Sequence, residues 1–204
     1  MIIEDVRNLL SANDRIASEN RKRFARWGAY VVNLMSAPGA GKTTILEQTL
    51  FHLHDRYRLN AVADVPIVQI NTEVAYGGEC HLDALMIANA IGDVDLPGTD
   101  LVFIENVGNL VCPAEFDVGE GCKVMVASVT EGEDKPLKYP LMYSVCEVLL
   151  LNKIDIAAAV GFDRAQFLHN CHSVNPGLTI IELSARTGDG VPAWLEWLES
   201  KIRS

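Results

Sequence analysis

A chain of 204 residues with 49% aliphatic, aromatic and cysteine content buries a sizeable core and is not intrinsically disordered. Its formal net charge of −10 argues against broad nucleic-acid binding, which depends on neutralising phosphates. No stretch approaches the ~20 apolar residues of a membrane span, Glu4, Asp5 and Arg7 interrupt any leader, and five cysteines without an export signal read as reduced thiols in the cytoplasm.

Ile2–Trp27 reads as a helix. Val6, Leu9, Leu10 and Ile16 form a partial apolar stripe, and Gly28 is a stop signal. Its Arg21, Lys22, Arg23 and Arg26 are the chain's basic run and read as a solvated face rather than a binding patch. We expect residues 1–28 to be an appendage on one domain formed by residues 29–204.

Residues 30–35 are an apolar run, read as a buried strand. Ser36, Ala37, Pro38, Gly39, Ala40, Gly41, Lys42, Thr43 and Thr44 follow, then Ile45, Leu46, Leu50 and Leu53 at helical spacing. This is strand, phosphate loop, helix. Small residues let successive backbone N–H groups point at phosphate oxygens, and the helix N-terminus adds a positive dipole end. Lys42 is expected to reach the β- and γ-phosphates, and the Thr43 hydroxyl to bind Mg²⁺. Ser36 stands where the motif has its first glycine, a change to another small residue.

Further strands are expected at 60–64, ending on Asp64, and at 67–71, with a loop at 72–80 and a helix at 81–91. Strands follow at 101–105 and 124–129, then a polar connector at 131–136 and a strand at 148–151. A helix at 163–171, a strand at 178–183 and an amphipathic helix, Val191–Ile202, close the chain. Alternating strands and helices, with strands apolar on both faces, give an α/β fold: a P-loop NTPase with a mostly parallel sheet flanked by helices. Functional residues should lie at the carboxyl ends of the strands.

Asn152-Lys153-Ile154-Asp155 follows a buried strand and looks like the guanine-reading N-x-x-D signature of GTPases. One carboxylate, Asp155, can accept from guanine N1–H and the exocyclic amino group. Adenine offers neither, and a site built on such bonds rejects the wrong partner by ~10⁴-fold. Asn152 and the Lys153 stem would hold and cover the base. Ser184-Ala185-Arg186 resembles the S-A-K loop that gives backbone contacts to the base, with arginine for lysine. Between the two signatures, Glu105-Asn106-Val107-Gly108 stands where GTPases carry D-x-x-G. Glu105 can orient the Mg²⁺ water shell, the Gly108 N–H can sense the γ-phosphate, and Asp64 is a further candidate for the Mg²⁺ shell. No water-positioning glutamine is evident, so hydrolysis of GTP to GDP is expected to be slow.

Cys80-His81 precedes a predicted helix, and Cys112 stands seven residues after Glu105. A thiol at a helix N-terminus favours its metal-binding thiolate, and two thiolates with an imidazole suit Zn²⁺ or Ni²⁺. Three ligands leave a tetrahedral site to be completed by water or a second subunit. Buried structural cysteines are the equal alternative on composition alone. Cys122 and Cys146 flank buried strands and read as packing residues; His169, Cys171 and His172 read as surface or core positions rather than ligands.

The blocks around Cys80-His81, from Ile104-Glu105 through Cys112-Pro113 to Asp117, and from Thr130 to Pro140 resemble the hydrogenase nickel-incorporation GTPases, the HypB family, along nearly the whole chain. The resemblance implies a GTP-dependent metallochaperone delivering nickel to [NiFe]-hydrogenase precursors. It implies a homodimer formed on GTP, metal at or near the dimer interface through Cys80, His81 and Cys112, a zinc-containing accessory partner of the HypA type, and the hydrogenase large-subunit precursor as recipient. The urease-type sister family carries a cysteine-proline-histidine motif that is absent here. The cysteine- or histidine-rich N-terminal extension of some relatives is also absent, so metal is expected only in the GTPase domain, and the acidic segment after Asp64 is shorter than in relatives. The competing readings are a related urease-type or other cofactor-insertion GTPase and a passive nickel-binding protein.

Overall fold

The computed structural model describes residues 2–57, 81–92 and 98–203. The strands expected at 60–64 and 67–71, the loop at 72–80, and with them Asp64 and Cys80, lie outside the described residues. In chain order the elements are α1 Ile2–Trp27, β1 Tyr30–Ser36, α2 Lys42–Leu53, α3 Ala84–Gly92, β2 Leu101–Gly108, α4 Cys112–Glu115 and β3 Cys122–Ser128. They continue with α5 Lys135–Lys138, α6 Pro140–Ser144, β4 Val148–Asn152, α7 Arg164–Val174, β5 Thr179–Glu182 and α8 Val191–Ile202.

Among the described residues the five strands form one parallel sheet in the order β2-β1-β3-β4-β5. Strand order reverses at β1, with β2 on one side and β3 on the other, the switch point at which α/β sheets bind ligands. Strand side chains alternate between two cores. Val32, Leu34, Val124, Val126, Val148 and Leu150 meet Ile45 and Leu53 of α2 and Trp194, Leu195 and Leu198 of α8. Met35, Met125, Ala127, Leu149 and Leu151 meet Met142 and Tyr143 of α6 and Phe167 and Cys171 of α7. Burial on both faces is why these strands carry no polar alternation. A third cluster joins α1 to α3 and β2 through Phe24, Ile87, Ile91, Val31 and Ile104.

Several boundaries differ from the sequence reading, for local reasons. The helix expected from residue 81 starts at Ala84, because the Asp83 carboxylate accepts the Met86 N–H at 2.8 Å and caps it there. His81 therefore sits three residues ahead of the helix, and the helix-terminus argument for a thiolate at Cys80 loses its premise. The strand expected to end at Glu105 continues to Gly108 with a register shift, since Glu105 pairs with Leu34 but Gly108 with Ser36; such a bulge re-aims side chains beside a site. The strand expected at 124–129 instead spans Cys122–Ser128, because Ser128 and Glu131 form a capping box that turns the chain. The polar connector contains that turn and the start of α5.

Candidate functional site

The site sits where β1 ends. Gly39 and Gly41 have φ of 76° and 99°, the left-handed region that an L side chain enters at a cost. Gly41 has a second reason to be glycine: an added Cβ would lie 2.3 Å from Asn152 Nδ2. α2 begins at Lys42, leaving its first N–H groups facing the loop. Ser36, where the motif has glycine, is buried on β1 between Val126 and Gly108. Gly108 in turn brings β2 against the loop, with its would-be Cβ 3.2 Å from Pro38 Cα.

Glu105 reaches across from β2. The Thr43 hydroxyl donates to Glu105 Oε1 at 2.6 Å, and Lys42 Nζ lies 3.3 Å from the same oxygen. Three predicted residues therefore converge from two strands' ends. A carboxylate and a hydroxyl are the hard oxygen donors that Mg²⁺ prefers, so the donor set suits that ion.

The base-reading signature lies on the other side of the loop, at the end of β4. Asn152 is buried; its Nδ2 donates to Ala40 O at 2.9 Å, and its Oδ1 accepts from the N–H groups of Lys153 at 2.8 Å and Ala185 at 3.0 Å. It thus stitches phosphate loop, β4 and the 184–186 loop together. Lys153, at φ 64°, donates from Nζ to Gly39 O at 2.7 Å. Asp155 Oδ1 accepts the Ser184 hydroxyl at 2.7 Å, while Arg186 Nη2 lies 2.9 Å from Oδ2. The Ser184 hydrogen bond, with the nearby Arg186 charge, holds the Asp155 carboxyl below the usual carboxylate range. It is thus ready as an anionic acceptor, and a guanine must trade with Arg186 for Oδ2. Gly41, Thr44, Asn152, Lys153, Asp155 and Arg186 line an open cleft that continues from the phosphate loop.

Of the predicted metal ligands, His81 and Cys112 are described. The His81 ring stacks on Phe116, centroids 3.9 Å apart at 21°. Cys112 opens α4, half-buried, with Asn109 Nδ2 3.5 Å from its sulfur. Both candidates flank the carboxyl end of β2, the strand that carries Glu105. Imidazole and thiolate are donors for Zn²⁺ or Ni²⁺. Among the described residues no group of three His, Cys, Asp or Glu side chains is placed to hold a metal ion, so a site here needs Cys80, water or a second subunit. His169, Cys171 and His172 do not converge: Cys171 is in the core and both histidines are exposed.

Sequence reasoning missed a set of buried amides beneath the site. Asn13 and Asn20 of α1 bind the backbone at Ala84, Asp117 and Val118, and Asn33, Asn106 and Glu120 meet under β1 and β2. The available signal was Asn33 itself, a lone amide inside an apolar strand. Arg21 of the basic run pairs with Asp117, both Nη2 contacts being 2.8 Å.

The family described as CobW/HypB/UreG, nucleotide-binding domain, matches residues 30–182. The chain is 46% identical over 209 residues to the hydrogenase maturation factor HypB of Escherichia coli strain K12, covering 95% of this chain and 71% of that protein. It is 35% identical to the probable hydrogenase maturation factor HypB of Methanocaldococcus jannaschii, covering 99% and 96%. The chain belongs to the HypB family. Two HypB crystal structures share its fold. That from Archaeoglobus fulgidus has a TM-score of 0.83 at 36% identity, covering 94% of this chain and 99% of that one. That from Helicobacter pylori, in complex with nickel, has a TM-score of 0.81 at 31% identity, covering 94% and 95%. HypB membership accounts for the P-loop GTPase fold around the cleft. No helix among the described residues of this HypB-family chain is long and apolar enough to cross a membrane.

Proposed function

We propose that this chain is a cytoplasmic GTPase that carries nickel, with zinc as the other ion its donors accept, into [NiFe]-hydrogenase maturation. The observation that carries the reading is that one strand, β2, serves both chemistries. Glu105 meets Lys42 and Thr43 at the phosphate loop, while the segments that follow and flank it hold Cys112 and His81. The relative in complex with nickel supports nickel as cargo.

Residues 29–204 form the GTPase domain in this reading, with 1–28 as its appendage. Asp155 reads guanine, backed by Ser184 and by the Ala185 backbone. The loop from Gly39 to Thr44 cradles the phosphates, and Lys42 meets the β- and γ-phosphate charge. Thr43 and Glu105 hold Mg²⁺ and its water shell, with Asp64 as a further candidate; bound there, the ion neutralises charge on the phosphate oxygens. Water adds to the γ-phosphorus as its bond to the bridging oxygen breaks, giving GDP and phosphate. Segment 105–108 carries no glutamine to orient that water, so turnover is expected to be slow.

The γ-phosphate draws segment 105–108 toward the loop, and hydrolysis releases it. Cys80, His81 and Cys112 bind the metal, with a second GTP-bound copy completing the pair. A HypA-type zinc accessory protein and the hydrogenase large-subunit precursor are the partners in this reading. Linkage requires that metal also shift nucleotide affinity or dimerisation. The test is nickel titration and sedimentation of the full chain with GDP and with a non-hydrolysable GTP analogue. We expect nickel affinity and dimer fraction to differ several-fold between nucleotides; equal values for both would refute nucleotide-gated carriage.

A further inference from the structure

Asn33 has 0% exposure in the middle of β1, where a buried amide persists only if its polar atoms are answered. Its partners form a closed ring. Asn33 Nδ2 faces Glu120 Oε1 at 3.5 Å, and its Oδ1 faces Asn106 Nδ2 at 3.4 Å. Glu120 Oε2 accepts the Val118 N–H at 2.8 Å. Val118 O and Ala84 O accept from Asn20 Nδ2 at 3.2 and 2.8 Å. Asn106 Oδ1 accepts two backbone N–H groups, that of Val107 at 2.9 Å and that of Leu82 at 3.2 Å. The ring fastens three segments to one another: that following His81, that following Glu105, and that leading into β3.

We propose that Asn106 is a positioning residue that transmits the nucleotide state of segment 105–108 to the segment carrying His81. The inference rests on nucleotide-gated metal carriage as proposed above. Asn106 is the residue after Glu105, and Leu82 is the residue after His81. Asn106 Oδ1 spans the two, so a backbone shift in 105–108 displaces the acceptor that anchors Leu82. The far side of the ring is fixed. Asn33 belongs to the central strand β1, and Asn20 holds Ala84 and Val118 from α1. A shift at Asn106 is therefore taken up at Leu82, next to His81 on its Phe116 platform. A plain structural brace would satisfy the same buried amides without depending on nucleotide, and that difference is measurable.

The first test uses the unmodified, metal-free full chain. Amide hydrogen exchange at Leu82 is compared with GDP–Mg²⁺ and with a non-hydrolysable GTP analogue. We expect several-fold different protection; equal protection overturns the role of Asn106. The second test titrates Ni²⁺ into wild type, Asn106→Ala and Asn106→Asp with each nucleotide. In Asn106→Ala the nickel-affinity difference between nucleotides should fall below about twofold, each titration being run at saturating nucleotide. Asn106→Asp keeps the oxygen that accepts from Leu82 and Val107 but not the donor to Asn33, and should retain more of the difference than Asn106→Ala does. A wild type without any difference refutes the carriage reading and not Asn106's place in it. A wild-type difference that survives intact in Asn106→Ala overturns this inference, and if that variant does not fold, Leu82 exchange in the wild type decides.

Discussion

At the scale of single residues, the guanine selectivity proposed above requires Asp155 to be both charged and correctly presented. Ser184 fixes one oxygen and Arg186 shields the other. Asp155→Asn replaces an acceptor pair by one donor and one acceptor. Guanine affinity should drop by roughly 100-fold or more, while xanthine nucleotides, with a carbonyl in place of the amino group, should gain; competition binding with GDP and XDP checks both. Gly41→Ala would push a methyl onto Asn152 Nδ2 at 2.3 Å from a left-handed backbone. It should cost GDP binding at least about tenfold, because displacing Asn152 disturbs both signatures at once.

The cysteines supply a prediction about pH. Burial pushes the Cys122 thiol up to about 11 and the Cys146 and Cys171 thiols up to about 12, from an ordinary value of 9.0. In the native protein these three should resist iodoacetamide at pH 8, and react once urea exposes them. Folded-state values raised above unfolded ones mean stability is undiminished below about pH 9 and falls as pH rises through 11 to 12. Urea midpoints measured across pH 8 to 11 should decline only in the upper part of that range.

Among the elements, α1 contributes more than cover. Asn20 answers two backbone carbonyls, one at the start of α3 and one in the segment before β3, and Phe24 packs with Ile87 and Ile91 of α3. Asn20→Ala would remove the amide donor that Val118 O and Ala84 O share, a loss of about 1–3 kcal/mol readable as a lowered urea midpoint. The sequence pattern identified this segment as a helix but not its polar inward face, because a helical stripe search weighs apolar residues and treats asparagines as solvated. The same limit hid the ring around Asn33. The phosphate loop, the N-K-x-D turn and the sheet were readable because their chemistry is local: glycine where φ is positive, apolar runs where both faces are buried. The end of β2 was misplaced because a bulge against β1 sets it, which depends on a tertiary neighbour, whereas the start of α3 is set by a local cap, Asp83, that apolar periodicity does not register.

Over the whole molecule, ligand binding should register as stability. GDP with Mg²⁺ at about 100 times its dissociation constant adds ~2.7 kcal/mol to unfolding. For a chain of this size that is a rise of roughly 5–10 °C in Tm, and ATP should give none of it. Differential scanning fluorimetry with both nucleotides makes the comparison directly. Trp194, buried between α8 and α2 with its Nε1 donating to Thr49 Oγ1 at 2.9 Å, provides an intrinsic fluorophore for the same transition.

The tethers from Asn152 to Ala40 and from Lys153 to Gly39 bear on product departure. They join the two segments proposed to hold opposite ends of a guanosine diphosphate. Such a clasp needs little ordering on entry, but it does not yawn open of its own accord. Whatever hastens discharge of spent GDP must therefore prise apart those tethers, making the Gly39–Ala40 carbonyls the natural place for a helper protein to apply leverage.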